Sequence, residues 1–285
     1  MELISLKYAI FVIVLLVLYY CFPKKYRWYV LLAGSMAYYV IICKWYVLFI
    51  IFTICTTYGS TIWIDKLLKE QNAIVKSHKE DWDRQTRKEY KEKGRKKRVA
   101  VMLFALLCNF GILAFLKYIP YAGELGLLLP LGISFYTFQS MGYVMDVYRE
   151  IVEPEKNFLK VALFVSFFPQ IIQGPIAIYD KLAGQLYEGH SLRLENLQKG
   201  ALLVLWGVMK KLVIADRAVN IINFVMDKPM DFSGTYVFFA AVVYALQLYA
   251  DFSGGIDIVR GIAEMFGITM STNFNHPYFS RSLTE

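Results

Sequence analysis

The sequence predicts an all-α, polytopic integral membrane protein, and three observations carry that prediction. Hydrophobic residues fill 57% of the 285 positions, above the roughly 45–50% of soluble domains, and mean hydropathy is +0.43. The excess sits in runs near the ~20 residues that cross a hydrocarbon core, more than a soluble interior could bury. The charge, formally +8, is gathered largely in one segment: Asp65 to Arg98 holds thirteen Lys or Arg against seven Asp or Glu. One membrane domain is expected over 1–285, with about 7–9 embedded helices, some broken or re-entrant.

In chain order, Leu3–Phe22 is the first span, closed by Pro23, Lys24, Lys25 and Arg27. It is longer than a signal-peptide core, and no small-residue cleavage site follows. Trp28–Cys43 and Val47–Ile64 flank Lys44-Trp45-Tyr46 and predict a tight helical hairpin with interfacial aromatics at Trp28, Tyr29, Trp45 and Tyr46. The basic loop 65–98 is then cytoplasmic by the positive-inside rule, which puts Lys24–Arg27 inside and the N-terminus outside. It reads as a solvated, topogenic surface helix, with attraction to phospholipid as the alternative. Val99–Ile119 returns outward.

Beyond residue 119 the runs change character. Leu125–Tyr148 carries Gln139, Gly142 and Asp146. Phe158–Tyr179 contains Pro169, Gln170, Gln173, Gly174 and Pro175. Gly200–Met226 is interrupted by Lys210-Lys211 and Asp216-Arg217, and Tyr236–Phe266 by Asp251, Asp257 and Arg260. Such groups are costly in lipid unless they face protein or a water-lined cavity. Residues 125–285 therefore predict a polar-lined cavity, and 1–119 mostly its wall.

Cys21, Cys43, Cys55 and Cys108 lie within or at the ends of apolar runs and form no metal-ligand spacing. No metal is expected. Basic and aromatic residues do not interleave on one soluble face, so nucleic acid is not an expected partner.

Four stretches carry the chemistry: Leu129 to Gln139 with Tyr143, Asp146 and Arg149; Phe167-Phe168-Pro169-Gln170-Ile171-Ile172-Gln173-Gly174-Pro175; Lys210-Lys211 through Asp216-Arg217; and Gln247-Leu248-Tyr249-Ala250-Asp251-Phe252-Ser253-Gly254 onward to Asn273, Asn275 and Arg281. In this order and spacing they resemble the membrane-bound O-acyltransferases over essentially the whole chain. The likeness is to the branch of bacterial polysaccharide O-acetyltransferases of the alginate type, and more distantly to the proteins that D-alanylate teichoic acid. The resemblance implies transfer of an acetyl group from a cytoplasmic donor, acetyl-CoA or an acyl-carrier thioester, toward an extracytoplasmic polysaccharide. It also implies residence in a bacterial cytoplasmic membrane, contact with membrane lipid, and an extracytoplasmic acetyltransferase partner. No cofactor is expected to be bound.

The family's histidine, which can both take and give a proton near neutral pH, is expected after Glu285. No residue of this chain is therefore assigned as catalytic, and the chain as given is expected to be a truncated, inactive form. His276, His78 and His190 are not substitutes; the last two read as solvated surface. Substrate-path candidates are Gln139, Gln170, Gln173, Gln247, Asp251, Ser253, Asn273, Asn275 and Arg281. Three have a structural alternative: Gln170 and Gln173 can satisfy backbone groups freed by proline, and Asp251 can cap a helix broken at Ser253-Gly254-Gly255. Lys210 and Lys211 either meet donor phosphate or snorkel to the interface. A non-catalytic scaffold and a transporter are the competing classes. Visible paired repeats, which would favour transport, are lacking.

Overall fold

Helix starts and stops follow the polar punctuation of the chain. The computed structural model describes residues 3–78, 81–118, 129–274, 278, 280 and 282. Helix α1, Leu6–Cys21, begins where the Ser5 hydroxyl accepts the Tyr8 N–H at 3.2 Å and ends before Pro23. The cap trims the expected first span to 16 residues. Helices α2 (Arg27–Cys43) and α3 (Val47–Ser77) are divided by one tight turn, Lys44–Tyr46, in which Lys44 takes a left-handed φ of 49°. Helix α4 is Arg84–Tyr118. The basic stretch 65–98 is thus mostly the polar ends of two long helices. Asp83 caps α4, accepting the Thr86 N–H at 2.9 Å.

Helices α5 (Ile133–Tyr148), α6 (Phe158–Ser166), α7 (Phe168–Gln173) and α8 (Tyr179–Tyr187) follow. Then come α9 (Leu194–Met209), a π-helical segment (Lys210–Ala215), α10 (Asp216–Met226) and α11 (Gly234–Met265). No strand occurs among the described residues. Among the described residues, three stretches are long and apolar enough to cross a membrane: Lys24–Ser77, Arg84–Tyr118 and Gly234–Met265. Large apolar side chains such as Leu103, Phe104 and Leu107 on α4 and Phe238 and Phe239 on α11 point outward. A water-soluble surface would not carry them in such rows. The protein is an all-α membrane protein.

The chain forms two compact units. The first comprises residues 1–30, 172–175 and 188–285; the second comprises 31–171 and 176–187. In the second unit α3 is the hub, packed on α4, α5 and α6. Its packing face is built from Thr53, Thr57, Ser60 and Thr61, all buried. Small polar residues let helices approach closely, and the hydroxyls of Ser60 and Thr61 return to their own helix, donating to the Thr57 carbonyl at 3.1 and 2.9 Å. Asn109 of α4 donates to Thr56 of α3 at 2.9 Å. Tyr143 and Tyr179 stack at 4.0 Å beside Phe164.

In the first unit α9 lies along α11, and glycine governs the contact. A Cβ on Gly261 would stand 2.6 Å from the Gly200 carbonyl oxygen, and one on Gly254 only 2.8 Å from that of Gly207. The two pairs are each seven residues apart, so backbone meets backbone at two points along the crossing. Helix α1 joins through Tyr20, whose hydroxyl donates to the Met265 carbonyl at 2.7 Å. The Arg27 guanidinium donates to the carbonyls of Phe22, Tyr20 and His190 and lies over the Tyr19 and Tyr20 rings. His190 is consequently half-buried, its N–H donating to the Tyr19 hydroxyl, rather than a solvated surface residue. His78 is exposed, stacked on Trp82.

Candidate functional site

The strongest concentration of charge within apolar helices lies in the first unit, where the π-helical segment meets α11. Lys210 Nζ pairs with Asp257 at 2.6 Å, and Arg260 reaches the same carboxylate at 3.3 Å. Lys211 pairs with Asp251. Side chains of Lys210 and Asp257 are only 14% and 13% exposed. Three cations and two carboxylates leave one net positive charge in this cluster.

The local fold explains the pairing. A π turn holds an extra residue relative to an α turn and tends to occur at functional places. Here it brings two consecutive lysines against one helix. Gly254 sits in the fork between them: a Cβ there would stand 3.1 Å from Lys210 Cβ and 3.4 Å from the Lys211 backbone nitrogen. Asp251 and Asp257 lie three residues to either side of Gly254, on its own helix face. Lys210 also lies 5.7 Å from the Trp206 ring centroid, a contact that favours a partly dehydrated ammonium.

Helix α11 is unbroken from Gly234 to Met265. The expected break at Ser253-Gly254-Gly255 does not occur, and Asp251 is an ion-pair partner rather than a cap. These glycines serve close approach instead of chain reversal. At Gly255 a Cβ would overlap the Gln173 amide, whose Nε2 would be 2.8 Å away. Ser253, beside them, buries a hydroxyl with no hydrogen-bond partner among the described residues. Gln247, a turn before Asp251, is half-buried, and Asn273 is exposed. Phe274 closes on Tyr249 and Phe252, both ring pairs at 5.7 Å. Asn275, His276 and Arg281 lie outside the described residues.

In the second unit the chain breaks at Phe167, which has non-helical ψ of 109° between α6 and α7. Pro169, with no N–H to offer, fits the first turn of α7. Gln139 of α5 donates to the Phe164 carbonyl at 2.9 Å, and Ser35 of α2 accepts the Phe168 N–H at 3.1 Å. Gln170 is fully buried on α7.

The structure therefore brings Lys210, Lys211, Asp251, Ser253 and Gln173 into one unit beside Gly254 and Gly255, and sets Gln139 at the helix break. Asp257, Arg260 and Trp206 complete the charged cluster without having been singled out as site residues. Their signal was present in the i, i+3, i+6 spacing of Asp251, Gly254 and Asp257 opposite a lysine pair. Ser35 carried no such signal. Chemically, the cluster can hold charge and orientation inside apolar surroundings. Both ammonium groups already face carboxylates, so a donor phosphate would have to compete with Asp251 and Asp257 for them.

No family model matches the chain. It is 33% identical over 222 residues to a peptidoglycan O-acetyltransferase of Helicobacter pylori, covering 65% of this chain and 42% of that protein. Identity is 37% over 160 residues to a probable alginate O-acetylase AlgI of Pseudomonas syringae, covering 55% and 30%. A teichoic acid D-alanyltransferase of Bacillus subtilis is 25% identical over 161 residues, covering 54% and 40%. The matched part is less than half the length of each of these relatives. Over the matched part, and on an all-helical membrane architecture, the chain is thus similar to bacterial O-acetyltransferases and more distantly to a D-alanyltransferase.

Proposed function

We propose that this chain is part of a membrane O-acetyltransferase that delivers acetyl from a cytoplasmic thioester donor, acetyl-CoA or an acyl carrier, to hydroxyl groups of an extracytoplasmic glycan. The observation that carries the reading is the ion-paired cluster of Lys210, Lys211, Asp251, Asp257 and Arg260 set into otherwise apolar helices. Charged groups are placed there at a cost, and function is the usual reason for keeping them. Similarity to a peptidoglycan O-acetyltransferase and to a probable alginate O-acetylase supports the acyl chemistry.

In this reading residues 1–285 supply part of the substrate path. A bacterial cytoplasmic membrane, an outside N-terminus, cytoplasmic 65–98, surrounding lipid and an extracytoplasmic acetyltransferase partner complete the proposal. The test is deletion of the encoding gene, followed by measurement of base-labile acetate on isolated cell-surface polysaccharide and peptidoglycan. Loss of acetate from one of them is the expected result. Unchanged acetate on both, or loss of D-alanine ester instead, overturns the acetyl reading.

A further inference from the structure

A second concentration of charge lies in the second unit, where α3 and α4 extend beyond their apolar stretches. Arg84, Arg87, Lys88, Lys91, Arg95 and Arg98 recur at the spacing of one helical face. At 1.5 Å per residue the stripe runs about 21 Å along α4. All six line a single open cleft of about 600 Å³. The facing wall on α3 is Leu68, Gln71 and Asn72, which bring no carboxylate. Only Glu92 and Glu150 oppose the cations in the lining, so six positive and two negative groups leave four net positive charges.

The acidic residues of α3 near this level are engaged on their own helix, Asp65 with Lys69 at 2.5 Å and Glu70 with Lys66 at 3.9 Å. The cleft floor is built rather than incidental. Arg98, 11% exposed, donates to Gln71 Oε1 at 2.9 Å, and Gln71 Nε2 donates to the Lys91 carbonyl at 3.0 Å. Cations three and four residues apart repel one another. Walls of low dielectric raise the positive potential between them. Guanidinium forks match phosphate oxygens two at a time, and a multiply charged phosphate relieves the repulsion best.

We infer that the cleft between α3 and α4 binds a phosphate-bearing polyanion: either a soluble phosphate or diphosphate ligand, or the headgroup of an anionic phospholipid. The inference concerns binding alone, and its readout involves no acyl transfer, so it stands or falls apart from the activity proposed above.

The experiment uses the full chain in nanodiscs. One arm titrates inorganic pyrophosphate into phosphatidylcholine discs by calorimetry; the other compares thermal stability in phosphatidylglycerol and phosphatidylcholine discs. R84Q/K88Q/R95Q removes three exposed charges of the stripe. K93Q/K96Q/K97Q removes three from residues lining a different part of the helix surface. A response to pyrophosphate identifies a soluble phosphate, and a response to phosphatidylglycerol alone identifies the lipid headgroup; either supports the inference. The stripe variant should lose affinity about tenfold or the lipid-dependent shift, while the second variant keeps both. Equal unliganded midpoints show that both variants fold. No response in either arm, or equal loss in the two variants, overturns the inference.

Discussion

Gln139 and Phe164 are joined by a side-chain bond that replaces a backbone one. In an unbroken helix the Phe164 carbonyl would accept the N–H of Phe168. Instead Gln139 Nε2 donates to that carbonyl at 2.9 Å, while the Phe168 N–H goes to Ser35 Oγ at 3.1 Å. Both orphans of one lost hydrogen bond are thus satisfied from neighbouring helices, as a buried break requires. Replacing Gln139 by Leu strands a buried carbonyl and should cost about 1–3 kcal/mol. Ser35→Ala should cost a similar amount by stranding the N–H. Thermal midpoints in detergent check this; wild-type values for both variants would show that the break does not need these partners.

The ion pairs make a second test. Asp257→Ala leaves Lys210 and Arg260 without their shared carboxylate in apolar surroundings, at an expected cost of about 3 kcal/mol or more. Lys210→Met combined with Asp257→Leu should cost less than Asp257→Ala, because it leaves no lysine charge stranded. Chemical denaturation of the three proteins measures the difference. A double variant less stable than the single one would refute the account.

Glycine substitutions should divide by what their Cβ would meet. Gly261→Leu drives a side chain into the Gly200 backbone, 2.6 Å from its carbonyl oxygen at the first carbon, and should abolish the folded first unit. Gly142→Ala, in α5 with open space around it, should stay within about 1 kcal/mol of wild type or gain stability. Size-exclusion profiles and thermal midpoints separate the two, and a well-folded Gly261→Leu protein would contradict the close crossing.

The helix cap at Asp83 gives a pH dependence. Hydrogen bonds from the Thr86 side chain and backbone hold its carboxyl below the usual carboxylate range. A group whose folded pKa is depressed stabilises above its unfolded value and loses that contribution as pH falls through the folded one. Asp83→Ala should therefore speed amide exchange in the first turn of α4 near neutrality. The difference should vanish well below the ordinary carboxylate pKa of about 3.9. A difference that persists at acid pH would assign the effect to something other than the charged cap.

How much of this was legible in the sequence differs by region. The all-α membrane class follows from the length and composition of the runs, and a break just before Pro169 follows from its missing N–H, which fits only a helix's first turn. Pro169 did not reveal which side chains repair the break, because Ser35 and Phe168 are 133 residues apart. The glycines at 254 and 255 were legible as special and misleading in kind. Glycine permits both chain reversal and close approach, and only the presence of α9 and Gln173 on that face decides for the latter. Likewise Lys210 and Lys211 are visible as costly in lipid, while their partners depend on the π turn that turns both toward α11.

The two lysines astride Gly254 have a mechanical consequence. Their carboxylates lie above and below the crossing point, so sliding α11 along its axis in either direction would lengthen one pair as it compressed the other. The second backbone contact, Gly200 against Gly261, lies seven residues along from Gly207 against Gly254 and opposes rocking about either one, so ion pairs and glycines together fix the register of the two helices.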